Sequence, residues 1–155
     1  MKRLMLLLAF LICVGISAFG QLEKEVTLSS ETNLAAALGE DAAKVTTLKI
    51  TGPLTLEDFS TMKNDMAMLQ VLDMSGVTSL PLIKKSIINR DFIYSAIPSD
   101  ALAGKLTLRQ VIFPSCLELI SSEAFAACEN LSSVDLSKSN LLKIIAENAF
   151  FIALV

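Results

Sequence analysis

The chain contains no histidine and no tryptophan, and it has a single tyrosine. Without histidine it lacks the commonest general base and the commonest metal ligand. Its three cysteines are too few for a zinc site without further ligands. Basic clusters are also absent. Thirteen basic residues are outnumbered by 16 acidic ones, for a formal charge of −3, and a mildly acidic chain repels phosphate backbones, so nucleic acid is not expected as a partner. At 155 residues there is room for one domain, or one domain behind a targeting segment. The hydrophobic fraction of 53% is concentrated at the start, where fifteen of the first twenty residues are apolar. The remainder is about half apolar, ordinary for a globular domain, which excludes a polytopic membrane protein and a disordered tail.

The first twenty residues read as a secretory signal peptide. Lys2 and Arg3 give a positive start, and Leu4 to Val14 form an unbroken apolar run. Ser17-Ala18-Phe19-Gly20 closes it with the small pair Ala18 and Gly20. The run is too short to span about 30 Å of hydrocarbon comfortably, and bulky Ile12 before Cys13 argues against a lipidation site. The expected outcome is export, to the extracellular space or cell surface, with no membrane span after cleavage. A mature chain from Gln21 carries a formal charge of −5, from 11 basic and 16 acidic residues.

Internal repetition is the strongest signal in the rest of the chain. Ile97-Pro98-Ser99-Asp100-Ala101-Leu102 recurs as Ile120-Ser121-Ser122-Glu123-Ala124-Phe125 and as Ile145-Ala146-Glu147-Asn148-Ala149-Phe150, at steps of 23 and 25. A second element, apolar-x-x-apolar-x-apolar, appears as Val45, Leu48, Ile50; as Leu69, Leu72, Met74; as Leu108, Val111, Phe113; and as Leu131, Val134, Leu136. Two patterns sharing one step predict an α/β leucine-rich-repeat solenoid of short parallel strands. One repeat cannot bury its own apolar row, so neighbours must stack. The small alanine admits the next coil and the large residue after it fills the centre.

The sequence divides into a leader (1–20), an α/β N-terminal cap with the first strands (21–76), an irregular loop (77–96) and the repeats (97–155). Within the cap, Val26-Thr27-Leu28 reads as a first strand. Ser30 or Thr32 caps a short helix over Asn33–Leu38 that Gly39 ends. Thr55 with Asp58 three residues later opens a helix to about Met66, with Leu56, Phe59, Met62, Met66 and Leu69 as a core-facing stripe. The loop, with Pro81, Lys84, Lys85, Asn89, Arg90 and Asp91, is a candidate contact segment or a tolerated insertion. The apolar tail Phe150-Phe151-Ile152-Ala153-Leu154-Val155 departs from the polar Ala127-Cys128-Glu129-Asn130 of the preceding repeat. It reads as a truncation of a longer repeat protein, a partial product with no function of its own, or as an end covered by another chain.

Residues 102–150 resemble the repeats of BspA-like leucine-rich-repeat surface proteins of Bacteroides and related bacteria. A Phe-ended corner is followed by Cys-x-x-Leu-x-x-Val, as in Phe125-Ala126-Ala127-Cys128-Glu129-Asn130-Leu131-Ser132-Ser133-Val134. Leu48-Lys49-Ile50-Thr51-Gly52-Pro53-Leu54 and Leu72-Asp73-Met74-Ser75-Gly76 are similar to the strand-and-turn segments that precede such repeats. The first and last repeats lack the cysteine. The resemblance implies secretion and adhesion or protein–protein interaction, with host extracellular-matrix proteins or bacterial surface proteins as partners, and it brings no catalytic residues.

No catalytic, metal or cofactor site is expected, and the chain is read as a non-enzyme. Its carboxylates are scattered at repeat edges, and Glu123 and Glu147 solvate a turn or cap a helical piece. Cys116 and Cys128 either pair across twelve residues in an exported chain, or line a turn and a core position as reduced thiols. The candidate partner face consists of residues between the inward positions: Thr46, Thr47 and Lys49; Gln70, Val71 and Asp73; Arg109, Gln110 and Ile112; Ser132, Ser133 and Asp135. Foremost among them are Lys49, Gln70, Asp73, Arg109, Gln110, Ser132 and Asp135. A regular strand face of this kind suits a protein partner, although it carries no aromatic anchor.

Overall fold

The computed structural model describes residues 20–152. All but the last residue of the segment read as a leader lies outside the described residues, as do the last three positions of the chain. Nine strands and two short α-helices follow in the order β1 (Leu22–Thr27), α1 (Leu34–Leu38), β2 (Val45–Pro53), α2 (Leu56–Asn64), β3 (Val71–Ser79), β4 (Leu82–Ile87), β5 (Arg90–Ile97), β6 (Gln110–Ile112), β7 (Leu119–Ile120), β8 (Ser133–Asp135) and β9 (Ile144–Ile145). A 3₁₀ segment, Gly39–Lys44, joins α1 to β2.

The strands form two sheets. One is a five-stranded sheet in the order β1-β2-β3-β6-β8, and every neighbouring pair in it is parallel. Its central row in register is Lys24, Leu48, Leu72, Val111, Val134. The other sheet runs β4-β5-β7-β9. There β7 pairs in parallel with β5 and β9, placing Ile97, Ile120 and Ile145 side by side. Corner segments add rungs of their own. Leu102 N–H donates to Ala124 C=O at 2.8 Å, and Phe125 N–H donates to Ala149 C=O at 2.8 Å.

These pairings bury the rows that the spacing predicted. Val45, Leu48, Ile50, Leu69, Leu72, Met74, Leu108, Val111 and Phe113 are fully buried. The row opens at β8, where Leu131 and Leu136 are half-buried and Val134 is 41% exposed, because no described strand lies beyond it. Phe113 meets Phe125 edge to face with centroids 5.6 Å apart, and Phe125 stacks on Phe150 at 5.2 Å.

The polar residue of the corner motif has a backbone reason. Asp100, Glu123 and Asn148 all adopt left-handed φ, at 55°, 59° and 57°. Asp and Asn tolerate this conformation better than most side chains. A second left-handed site follows at Gly104 (φ 74°) and at Ala127 (φ 54°). Only the first of these two has the residue that takes the conformation without steric cost. Replacing Ala127 with glycine is therefore expected to stabilise the protein by about 1 kcal/mol. Urea denaturation would show it as a higher midpoint at unchanged slope.

The cap differs from expectation in detail. Asn33, rather than Ser30 or Thr32, caps α1, its side chain accepting from Ala36 N–H. The capping box of Thr55 and Asp58 forms as the motif predicts, but α2 ends at Asn64. Within the predicted stripe, Phe59, Met62, Met66 and Leu69 are buried while Leu56 is 57% exposed. Leu56 is the first residue of the helix and sits before the stripe meets the core. Gly52 is required where β2 turns: at φ 92°, a Cβ there would lie 2.2 Å from the Leu28 carbonyl oxygen.

Residues 77–96 are not an irregular loop. They comprise the end of β3 and an antiparallel hairpin, β4 and β5, closed by the two-residue turn Ile88-Asn89. Both turn residues have positive φ, 48° and 59°, the conformation that matches the twist of a tight hairpin. Ala96 N–H donates to Pro81 C=O at 2.9 Å, so the hairpin leaves and rejoins the chain at adjacent points. Excising residues 82–96 from the 39-residue interval Leu69–Leu108 leaves a step of 24, the interval from Val45 to Leu69. The hairpin is an excursion from an otherwise regular step. Its inner face, with Ile83 and Ile87, packs beside Tyr94, Ala96, Leu119 and Ile144 in a small second core.

On the edge of that second core, the Glu118 carboxylate accepts from Ser95 N–H at 3.0 Å and from Lys143 Nζ at 2.6 Å. The Lys143 ammonium also lies 5.8 Å from the centre of the Tyr94 ring. Lys143 and Ser95 hold the Glu118 carboxyl below the ordinary glutamate range. A depressed folded-state pKa contributes stability above the unfolded-state value, about pH 4.3, and that contribution is lost as pH falls through the folded value. Glu118→Gln is therefore expected to lower stability most above about pH 6, where the carboxylate's contribution is complete, and to flatten the acid side of the profile so that the two proteins converge as pH falls. Identical slopes for both proteins in thermal melts below pH 5 would remove this role.

Candidate functional site

Alternation along parallel strands brings every second side chain to the outer face of the five-stranded sheet. Two rows in register cross that face. One is Glu23, Thr47, Val71, Gln110, Ser133, and the other is Glu25, Lys49, Asp73, Ile112, Asp135. Glu23, Glu25, Thr47, Lys49, Val71, Asp73 and Ile112 share a shallow depression of about 380 Å³. Lys24 also lines it, so three carboxylates face two ammonium groups there. Lys49 is the one cation on the two rows, and its ammonium lies 2.7 Å from Glu25. That contact raises the Lys49 pKa above the ordinary lysine value.

Of the seven foremost expected face residues, Lys49, Asp73, Gln110 and Asp135 lie on these rows. Asp135 also ends β8, whereas Asp73 lies within β3. Asp73 accepts from Ser75 N–H at 2.8 Å, and Asp135 accepts from Ser137 N–H at 2.8 Å. Ser137 thereby holds the Asp135 carboxyl below its usual range.

Gln70, Arg109 and Ser132 occupy the edge where chains enter the sheet, and their backbones carry the rungs there. Gln70 C=O accepts from the N–H groups of Arg109 and Gln110 at 2.7 and 3.1 Å, and Arg109 C=O accepts from those of Ser132 and Ser133 at 3.0 and 3.1 Å. The side chains of Arg109 and Ser132 are exposed, and Gln70 is half-buried. Thr46, assigned to the face from the spacing, is buried instead. It occupies the same entry position, and its hydroxyl donates to Leu22 C=O at 3.2 Å.

Glu23 and Glu25 were not expected on this face. The first strand begins four residues earlier than Val26, and the alternation Leu22, Lys24, Val26 against Glu23, Glu25, Thr27 is the signal that places them. Lys24 takes the inward register position at the outermost strand and reaches Asp41 at 2.8 Å.

Both Cys116 and Cys128 are free thiols. Cys128 is buried and its Sγ donates to Leu102 C=O at 3.1 Å. Burial raises the pKa of both thiols, which makes them less reactive as nucleophiles. Among the described residues no group of three or more Cys, Asp or Glu is placed to hold a metal ion. No described helix is long and apolar enough to cross a membrane.

Comparison with the curated proteins finds no match. Residues 95–153 match the family model of the BspA type leucine-rich repeat region, with six copies. The matched stretch holds the corner motifs, the stacked isoleucines and the Phe125 rungs, so residues 95–153 carry a BspA type leucine-rich repeat region.

Proposed function

We propose that this protein is exported and works, without catalysis, as a binding protein whose outer strand face docks another protein. Leucine-rich repeats generally serve protein–protein interaction, and the match over residues 95–153 supports that class of work here. The observation that carries the reading is the pair of side-chain rows lying in register across five parallel strands. We read the two sheets as two sides of one solenoid, joined once per repeat through the corner segments. Steps of 23 to 25 residues and rungs between successive corners support that architecture.

Adhesion is the form of binding we favour, with a host extracellular-matrix protein or a bacterial surface protein as partner. Export is supported by the Lys2-Arg3 start, the apolar run to Val14 and the small residues before Gln21. Lys49, Gln70, Asp73, Arg109, Gln110, Ser132 and Asp135 are the proposed contact residues. Arg109 is central to that set, as the exposed cation among Thr46, Gln70, Arg109 and Ser132 of the entry edge.

The test uses the purified protein against immobilised extracellular-matrix proteins and whole bacteria. Saturable binding is expected, and the double variant Arg109→Ala, Gln110→Ala should weaken it at least tenfold with an unchanged circular dichroism spectrum. Binding that survives the double variant intact would move the contact off this face.

A further inference from the structure

The hairpin presents a second surface, distinct from the outer face of the five-stranded sheet. Among the described residues, strand β4 is the edge of its sheet, paired on one side only. The bond from Ala96 N–H to Pro81 C=O fixes the phase of the antiparallel ladder. With hydrogen-bonded pairs alternating, it leaves the N–H and C=O groups of Leu82, Lys84 and Ser86 pointing away from β5. Such a row is a template for another strand. Apolar side chains accompany it on the outer face: Leu82 is 74% exposed and Ile93, opposite Lys84, is 66% exposed. At the tip, Ile88 is 92% exposed and held at φ 48°. A β-branched residue is unfavourable there, where Gly or Asn is usual, so an apolar group is displayed at an energetic cost.

Charge decides what the edge accepts. Lys84, Lys85 and Arg90 against Asp91 make the hairpin locally basic in an acidic chain. A second copy is disfavoured. In a two-fold antiparallel pairing, the registers with longest overlap set Lys84 opposite Lys84 or Lys85 opposite Lys85, and like charges directly opposite are destabilising. An acidic strand meets no such penalty. Beside Ile83, Lys85 and Ile87, a segment alternating apolar and acidic residues would set its acidic side chains against Lys85 and, on the other face, its apolar ones beside the exposed Leu82.

We propose that the outer edge of β4 is a strand-addition site for an extended segment of another protein that alternates apolar and acidic residues. The test is an NMR titration of the ¹⁵N-labelled protein with two blocked hexapeptides, Thr-Val-Glu-Val-Glu-Thr and its lysine counterpart. The acidic peptide, at millimolar concentration, should shift and protect the amides of Leu82, Lys84 and Ser86, with the lysine peptide at least tenfold weaker. Lys84→Pro removes an outward N–H without breaking a ladder bond to β5. It should abolish binding, while Lys85→Glu should reverse the preference between the peptides. The Arg109→Ala, Gln110→Ala variant should bind the acidic peptide like the wild type, which separates this site from the sheet face. The proposal is overturned by unperturbed β4 amides, by equal binding of both peptides, or by a concentration-dependent dimer that Lys84→Pro dissolves, which would make a second copy the occupant.

Discussion

Replacing Phe125 by alanine is expected to cost about 4 kcal/mol, the range for truncating a buried aromatic. Phe125 is 1% exposed and lies between two rings, edge to face with Phe113 and stacked on Phe150. Its removal forfeits the transfer term of the ring, both aromatic contacts and the support of a rung, since its N–H bonds to Ala149 C=O. Small domains have stabilities of about 5–15 kcal/mol, so the variant should retain only a fraction of the total. Phe125→Leu, which keeps most of the volume, should cost about 1.5 kcal/mol or less. Phe150→Ala should cost less than Phe125→Ala, because Phe150 is only half-buried. Urea denaturation of the three variants gives the ranking. A Phe125→Ala loss under 1 kcal/mol would mean that the coils do not depend on this stack.

Asp58→Ala is the second large effect, with an expected loss of about 3 kcal/mol. The carboxylate is 1% exposed and serves two helices at once. Its Oδ1 accepts from Leu34 N–H at 2.7 Å at the start of α1, and its Oδ2 accepts from Thr55 N–H at 2.8 Å and the Thr55 hydroxyl at 2.7 Å. Alanine orphans the buried Leu34 N–H, worth about 1–3 kcal/mol when left unsatisfied, and removes the cap on the part-buried Thr55 N–H, worth about 1 kcal/mol. Thr55→Ala removes only the reciprocal half of the capping box and should cost about 1 kcal/mol. Equal losses in the two variants, measured by thermal unfolding, would show that the link between helices contributes nothing beyond the local cap.

The contrast between these sites shows what the sequence revealed. Phe125 was legible because the repeat places it: Ala124-Phe125 recurs as Ala101-Leu102 and Ala149-Phe150, and a period carries three-dimensional information. Thr55 and Asp58 were legible as a local cap, a three-residue motif with one physical meaning. The bond from Asp58 to Leu34, 24 residues away, was not, because nothing local encodes it. The hairpin at 82–97 was missed for a different reason. Ile88-Asn89 is an unusual occupant of a turn that normally announces itself with Asn-Gly or Asp-Gly, and Lys84-Lys85 masked the alternation of Leu82 to Ile87. On the candidate face, Lys49, Asp73, Gln110 and Asp135 lie at outward register positions, as alternation along a strand dictates. Thr46 failed because the strand's entry position is covered by β1, whose start at Leu22 the sequence reading set too late.

The contact between Pro81 and Ala96 also bears on how the chain finds its fold. Closing a flexible loop costs entropy that grows with the logarithm of its length, so pairing β3 with β6 across 39 residues would cost about 0.4 kcal/mol more than across 24. A hairpin forms in about 1–10 μs from contacts near in sequence. Once it has formed, its two feet are neighbours, and the chain that remains to be closed is as short as in any other repeat. The excursion thus folds itself out of the search, and lengthening it at the Ile88-Asn89 tip should leave the rate of β3–β6 pairing nearly unchanged.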